Sequence, residues 1–110
     1  MRHVEKNCCG YKIVSPEQVA DLLPETEILF LDVRTPREYR QYRIPGVVLL
    51  PVQELGSRLN ELDPDRPTVC ICEHGIRSAT AAEFLAHHDF ADVATMRGGM
   101  SQWSGPVERG

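Results

Sequence analysis

Short apolar runs that alternate with helix-like segments constrain the fold of this chain. Residues 28–33 form an almost unbroken apolar run, which is typical of a strand covered on both faces of its sheet. Residues 11–14, 47–50, 68–72 and 93–96 are predicted as further strands. Strands that alternate with helices indicate an α/β fold with a mainly parallel central sheet of about five strands and helices on both faces.

Two helix starts have the same pattern. In Ser15-Pro16-Glu17-Gln18 and Thr35-Pro36-Arg37-Glu38, a hydroxyl residue is followed by proline, and Gln or Glu comes three residues after the hydroxyl residue. This pattern predicts an N-cap, a proline at the first helical position and a capping box.

Two longer helices are predicted further along the chain. The three- and four-residue spacing of apolar residues predicts a helix over residues 52–62, and residues 77–88 form another. The chain then makes a sharp turn at Gly98-Gly99 and a last helical turn at residues 100–103.

Length and charge exclude several classes of protein. The 110 residues carry 12 Lys+Arg and 16 Asp+Glu, a net charge of −4, which argues against a nucleic-acid partner. The longest apolar runs are far too short to cross a membrane, and the N-terminus lacks the apolar core of a signal peptide. We expect a cytoplasmic protein with an N-terminal arm at residues 1–10 and one domain at residues 11–110.

The placement of the four cysteines does not indicate a disulfide framework, because Cys8 and Cys9 are adjacent and only one residue separates Cys70 from Cys72. Cys70 is expected to be a core residue, although a resolving thiol is the alternative. Cys8 and Cys9 are either incidental thiols of the arm or a redox pair. No metal site is expected, because Cys70, Cys72 and His74 lack a fourth ligand.

The loop after residue 72 carries the predicted chemistry. Cys72 ends a buried strand, and a short loop containing Gly75 separates it from a helix. Ligands of open α/β sheets bind at the carboxyl ends of the strands. Backbone N–H groups of such a loop and the positive end of the helix both stabilise a thiolate. Cys72 is therefore predicted to attack an electron-poor sulfur and to hold it as a persulfide.

Four segments of the chain resemble those of a single-domain rhodanese. They are Leu31-Asp32-Val33-Arg34 with Glu38-Tyr39, Ile44-Pro45-Gly46-Val47, Cys72-Glu73-His74-Gly75-Ile76-Arg77-Ser78, and Arg97-Gly98-Gly99-Met100 with Trp103. Their order and spacing fit from about residue 11 to residue 103. The resemblance implies the rhodanese fold, sulfurtransferase activity without a cofactor, and Cys72 as the residue that carries the persulfide.

The resemblance also implies the surroundings of the sulfur. The loop whose amides hold the transferred sulfur consists of Glu73, His74, Gly75, Ile76 and Arg77. Asp32 either supports this loop or caps the helix region at Thr35. Arg77 either neutralises a bound anion or fastens the loop to a carboxylate.

Loop length separates the candidate functions. Four residues, Glu73 to Ile76, lie between Cys72 and Arg77, whereas related dual-specificity phosphatases and arsenate reductases have five. The expected partners are a small sulfur donor, such as thiosulfate or a persulfide, and a thiophilic acceptor: cyanide, a thiol or an acceptor protein. A rhodanese-like binding or regulatory module without turnover is the main alternative, followed by a phosphatase or arsenate reductase.

Two residues depart from the rhodanese pattern. Arg43 stands before Ile44-Pro45-Gly46, where rhodaneses usually have histidine. Glu73 follows the cysteine, where thiosulfate-using members often have a basic or neutral residue. Its charge is expected to repel a dianionic donor, unless Glu73 points away and pairs with a surface arginine.

Arginines recur every three residues at positions 34, 37, 40 and 43. Either they form a docking face, or Arg34 pairs with Glu38 and the other three lie on a solvated helix face. We expect the second arrangement.

Overall fold

The computed structural model describes residues 5–6 and 10–110, with only the backbone described for residues 5–6. Within the predicted N-terminal arm, Glu5–Lys6 pairs with the strand Lys12–Val14. Cys8 and Cys9 lie outside the described residues, so both interpretations of these thiols stay predictions.

The described strands form one six-stranded sheet. They are β1 (Glu5–Lys6), β2 (Lys12–Val14), β3 (Leu29–Asp32), β4 (Val48–Leu49), β5 (Thr68–Ile71) and β6 (Val93–Met96). Their order across the sheet is β1-β2-β6-β5-β3-β4. In this order, each neighbouring pair between β2 and β4 is parallel: β2 with β6, β6 with β5, β5 with β3, and β3 with β4. The edge strand β1 is antiparallel to β2. The predicted fold class is confirmed, with β1 as an additional short edge strand.

Within the described residues, three α-helices connect and cover these strands. They are α1 (Pro16–Leu22), α2 (Pro36–Gln41) and α3 (Ile76–Ala86). Ser15 caps α1 and Thr35 caps α2, each with the complete capping box that the sequence predicts. Local hydrogen bonds therefore fix the residue at which each of these two helices begins.

The predicted helix over residues 52–62 is wrong. The chain there forms two short 3₁₀ helices, Val52–Glu54 and Leu59–Glu61, joined by turns. Gly56 and Ser57 favour the helical state weakly and interrupt the segment. Leu55 is nevertheless buried, and Leu59 and Leu62 pack against the core, so the apolar spacing reports burial rather than a continuous helix.

Apolar side chains cover both faces of the sheet. One cluster packs α3 and the segment after β4 against residues such as Leu31 and Cys70. The other packs α1 and the 3₁₀ helix Gly99–Gln102 against residues such as Phe30 and Ile71. Burial on both faces explains why β3 and β5 are apolar almost throughout. None of the helices in the described part of the chain is long and apolar enough to cross a membrane.

Candidate active site

The site lies at the carboxyl edge of the parallel strands. Asp32, at the end of β3, is in register with Ile71 on β5 and with Leu49 on β4. Cys72 follows Ile71 directly, so the strand register brings Asp32 and the Cys72 loop to the same edge of the sheet. Ligands of open α/β sheets bind at this edge.

Backbone amides hold the Cys72 sulfur. Cys72 is 1% exposed, and its Sγ accepts hydrogen bonds from the N–H groups of Gly75, at 3.0 Å, and Ser78, at 3.2 Å. Gly75 is the N-cap of α3 and has φ of 91°, a conformation that side chains disfavour. This turn and the positive end of α3 together place donors where a negative sulfur is stabilised.

A second backbone segment holds the loop from the other side. The N–H of Met100 donates to the Cys72 carbonyl at 2.8 Å, and the N–H of Ser101 donates to the Glu73 carbonyl at 2.9 Å. Gly99 makes this approach possible, because an added Cβ would lie 2.6 Å from the Glu73 carbonyl carbon and oxygen and would also collide with the Cys72 oxygen. The predicted Gly98-Gly99 turn thus borders the loop.

We expect Gly99→Ala to destabilise the protein and displace the Cys72 loop. Gly46→Ala is the matched control, since Gly46 also has positive φ but an added Cβ there meets nothing within 4 Å. Both variants include the backbone strain of a side chain at positive φ. Only Gly99→Ala adds the collision, which should lower the free energy of unfolding by a further ~1–3 kcal/mol. Urea unfolding measures the difference. Equal loss of stability in the two variants would contradict the packing argument.

The carboxylate of Glu73 is hydrogen-bonded through both oxygens. Arg34 Nη1 donates to Oε1 at 3.2 Å, and the Tyr42 hydroxyl donates to Oε2 at 2.9 Å. Arg34 also binds the Asp32 carboxylate, with 2.8 Å between Nη2 and Oδ2, and donates to the Tyr42 carbonyl oxygen at 2.7 Å. Asp32 therefore reaches the Cys72 loop through Arg34 and Glu73.

The predicted pairing of Arg34 with Glu38 is wrong. Arg34 is fully buried, so its charge requires compensation inside the protein, and Asp32 and Glu73 provide it. Burial alone would lower the pKa of Arg34, but the hydrogen bonds and charges of Asp32, assisted by Glu73, raise it overall. Arg34 is therefore an internal cation whose partners are Asp32 and Glu73.

Arg77 fastens the start of α3 to α2. Its Nη1 and Nη2 donate to the two oxygens of Glu38 at 2.7 and 2.8 Å. Of the two predicted roles, this geometry is that of a fastener to a neighbouring carboxylate. The hydrogen bonds from Arg77, against the opposing effect of burial, lower the pKa of Glu38 to about 2.

This pair predicts an acid-dependent loss of stability. Because the pKa of Glu38 falls from 4.5 to about 2 on folding, its contribution is complete above pH 4.5 and disappears as the pH drops towards 2. Since the pair is partly exposed, we expect a contribution of about 1–2 kcal/mol. Glu38→Gln keeps a capping-box side chain but should flatten this part of the stability–pH curve.

Chemical unfolding over this pH range measures the effect, with the exposed Glu83 changed to Gln as control. If Glu38→Gln and wild type lose stability equally between these pH values, the ion pair does not contribute to acid sensitivity.

The remaining predicted residues differ in exposure. Ile76 is 76% exposed and His74 is also exposed, so both lie on the outside of the loop. Cys70 is fully buried in β5, as expected for a core residue. Burial, with a smaller effect of Cys72, raises the pKa of the Cys70 thiol to about 12. Cys70 is therefore protonated and enclosed, which disfavours a resolving role.

Comparison with known proteins identifies the family. The family model of the rhodanese-like domain matches residues 15–106. The chain belongs to the rhodanese-like domain family. It is 36% identical over 93 residues to thiosulfate sulfurtransferase GlpE of Pseudomonas syringae pv. syringae. The aligned residues cover 84% of this chain and 87% of that protein.

Another relative and a solved structure agree with this rhodanese-like assignment. A sulfurtransferase of Allochromatium vinosum is 34% identical over 92 residues, which is 83% of this chain and 86% of that protein. The crystal structure of a rhodanese-related protein from Thermoplasma volcanium superimposes with a TM-score of 0.82 at 29% identity, covering 89% of this chain and 98% of that chain. The family resemblance predicted from the four segments is confirmed.

In this rhodanese-like domain, Arg43 contacts the C-terminal segment. Its Nε lies 3.1 Å from a Glu108 carboxylate oxygen, and its guanidinium carbon lies 4.5 Å from the centre of the Tyr39 ring. The residue that stands where histidine is usual thus joins α2 to the end of the chain.

Sequence reasoning missed three hydroxyl residues at the rhodanese-like site. Ser78 ends the motif that begins at Cys72 but is not among the predicted site residues, and its N–H and hydroxyl both contact the sulfur. Thr95 contacts Ser78, and Tyr42 contacts Glu73. The position of Ser78 at the start of a helix was a usable signal. Thr95 and Tyr42 are far from Cys72 in sequence and gave none.

Proposed function

We propose that this chain is a sulfurtransferase that carries sulfane sulfur on Cys72, in a loop formed by Glu73, His74, Gly75, Ile76 and Arg77. The observation that carries the proposal is the geometry of the sulfur: Cys72 Sγ is almost fully buried and accepts two backbone N–H hydrogen bonds. The names of the relatives support the same reaction class.

In the first half-reaction, the Cys72 thiolate attacks the outer sulfur of the donor. With thiosulfate, a new S–S bond forms to Cys72 while the S–S bond of thiosulfate breaks, and sulfite leaves with the electron pair. Cys72 then carries a persulfide whose outer sulfur is negatively charged. The amides of Gly75 and Ser78 stabilise the thiolate before attack without a separate general base.

In the second half-reaction, an acceptor removes the outer sulfur. A lone pair of cyanide forms a C–S bond, the S–S bond of the persulfide breaks, and its electron pair returns to Cys72 Sγ. A thiol acceptor, in a small molecule or in a protein, takes the sulfur in the same way as its thiolate. The hydrogen bonds to Sγ favour this step because they stabilise the thiolate that leaves.

Loop length supports sulfur transfer over phosphate chemistry. Four residues separate Cys72 from Arg77, and the two terminal nitrogens of Arg77 are bound to Glu38. An arginine held in this way lacks the free bidentate fork that an oxyanion such as phosphate prefers. The structure therefore favours transfer of a single sulfur atom.

The contacts of Glu73 bear on the choice of donor. Its carboxylate pairs with the buried Arg34 and accepts the Tyr42 hydroxyl, so much of its charge is compensated. The arrangement corresponds to the alternative in which Glu73 is paired, although its partner is a buried arginine. Repulsion of anionic donors is reduced, and we propose thiosulfate and persulfides as donors. The cytoplasmic location stays a prediction of the sequence.

An assay of thiocyanate formation tests the proposed function. The reduced protein is mixed with cyanide and either thiosulfate or glutathione persulfide as donor, and p-nitrophenyl phosphate is supplied in a separate reaction. We expect thiocyanate from both donors and no release of nitrophenol. Folded, reduced protein that forms thiocyanate from neither donor would favour the binding module, and nitrophenol release would favour the phosphatase.

A further inference from the structure

A buried pair of hydroxyl groups extends from the Cys72 sulfur into the sheet. The Cys72 thiol donates to Ser78 Oγ at 3.3 Å, and Thr95 Oγ1 on β6 lies 2.7 Å from Ser78 Oγ, where either hydroxyl can be the donor. Ser78 is 0% exposed and Thr95 is 4% exposed. Bulk water therefore competes little for either contact, and the direction of each hydrogen bond is set by the protein and by the charge of the sulfur.

Thr95 is a buried polar residue between buried apolar residues of β6. Thr95 follows Val93 and Ala94 and precedes Met96, all of them buried, and it is in register with Cys70 on β5. Valine has nearly the shape of threonine and would fill this position without a polar group to bury. A buried hydroxyl destabilises a protein unless it is hydrogen-bonded, and here the bond is made to the residue that contacts the sulfur.

When Cys72 is a thiolate, the hydroxyl hydrogens of Thr95 and Ser78 are enough to make both the Thr95–Ser78 and the Ser78–Cys72 hydrogen bonds. Thr95 then donates to Ser78 Oγ, and Ser78 donates to Cys72 Sγ, so each contact contains one hydrogen. A serine hydroxyl can accept and donate at the same time. Accepting a hydrogen bond also strengthens it as a donor, particularly in a site with little water.

We infer that Thr95 is a positioning residue for sulfur transfer, because its hydroxyl donates to Ser78 and thereby directs the Ser78 hydroxyl hydrogen at the Cys72 thiolate. The inference rests on the proposed role of Cys72. Without the Thr95 hydroxyl, Ser78 loses its donor and is free to rotate, and serines in helices readily donate to a carbonyl oxygen of the preceding turn instead. The thiolate then loses a hydrogen bond.

The test measures alkylation of Cys72 by iodoacetamide over a range of pH, followed by peptide mapping to separate Cys72 from the other thiols. Thr95→Val removes the hydroxyl at nearly constant shape, and Thr95→Ser retains it. We expect Thr95→Val to slow alkylation near neutral pH about three- to tenfold, from the loss of one hydrogen bond. The midpoint of the pH dependence should move upward, with equal rates at high pH, and Thr95→Ser should resemble wild type.

A double-mutant cycle with Ser78→Ala distinguishes positioning from a general structural effect. If Thr95 acts through Ser78, then Thr95→Val changes little in the Ser78→Ala background. An unshifted midpoint in Thr95→Val, or an equal effect of Thr95→Val in both backgrounds, would overturn the inference. If Thr95→Val does not fold, the pair Thr95→Ala and Thr95→Ser provides the same comparison.

Failure of this inference is separable from failure of the proposed function. Alkylation reports the state of the Cys72 thiol and does not require a donor or an acceptor. A wild-type protein that forms no thiocyanate would contradict the proposed function, whereas normal alkylation by Thr95→Val in an active protein contradicts only the positioning role.

Discussion

Replacing Cys72 with serine is expected to abolish sulfur transfer while leaving the fold intact. A serine hydroxyl cannot form a persulfide, and the smaller side chain fits the space around Cys72 with the amides of Gly75 and Ser78 still available as donors. Thiocyanate formation from thiosulfate or glutathione persulfide measures activity, and circular dichroism measures folding. Normal turnover by folded Cys72→Ser would contradict the mechanism.

Cys70→Ser is the matched control for this experiment. Cys70 lies on β5, two residues before Cys72, and is fully buried among apolar side chains. A serine there buries a hydroxyl in an apolar environment and should reduce the free energy of unfolding by about 1–3 kcal/mol. Activity per folded molecule should remain. The two substitutions are chemically identical, so the contrast isolates the role of Cys72.

Arg34→Met is expected to cause the largest loss of stability among the proposed variants, about 3–5 kcal/mol. Removal of the guanidinium leaves the buried carboxylate of Asp32 without its ion-pair partner and frees Glu73 from one of its two contacts. The effect should reach the sulfur, because Glu73 is the residue next to Cys72. Urea unfolding and the rate of Cys72 alkylation measure the two consequences.

Arg37→Met provides the comparison for Arg34→Met. Arg37 is exposed on α2, three residues along the chain, and the substitution changes net charge by the same amount. Exposed substitutions of this kind usually change stability by less than about 0.5 kcal/mol. Similar losses in the two variants would show that the Asp32–Arg34–Glu73 contacts do not hold the loop.

Local signals in the sequence were sufficient for much of the fold. The serine and threonine caps, each followed by proline and by Gln18 or Glu38, define the starts of α1 and α2 correctly. The apolar run at residues 28–33 contains β3, which is buried throughout. These features were predictable because the interactions concerned are made between residues close together in the chain, or follow directly from burial on two faces.

Apolar spacing was less informative where a segment only borders the core. Residues 52–62 have leucines at helical spacing, yet Gly56 and Ser57 interrupt the segment and two 3₁₀ helices form. The leucines pack on the core in this irregular arrangement as well. Periodicity predicts which residues are buried, and the backbone between them depends on propensities that a few residues can reverse.

The electrostatics of the site depended on tertiary contacts. Arg34 is four residues from Glu38, which favoured that pairing in the sequence, but β3 and the Cys72 loop bring Asp32 and Glu73 to it instead. Glu38 consequently pairs with Arg77, which is 39 positions away in the chain. Charge pairing across 39 residues requires the strand order of the sheet, so local spacing alone could not predict it.

The mass of the Cys72 peptide after donor treatment tests the central claim most directly. The reduced protein is treated with thiosulfate or glutathione persulfide in the absence of acceptor, the excess donor is removed, and the protein is digested under non-reducing conditions. We predict that the peptide containing Cys72 gains the mass of one sulfur atom and loses it when cyanide is added. A folded protein whose Cys72 peptide keeps its original mass with both donors would contradict the account.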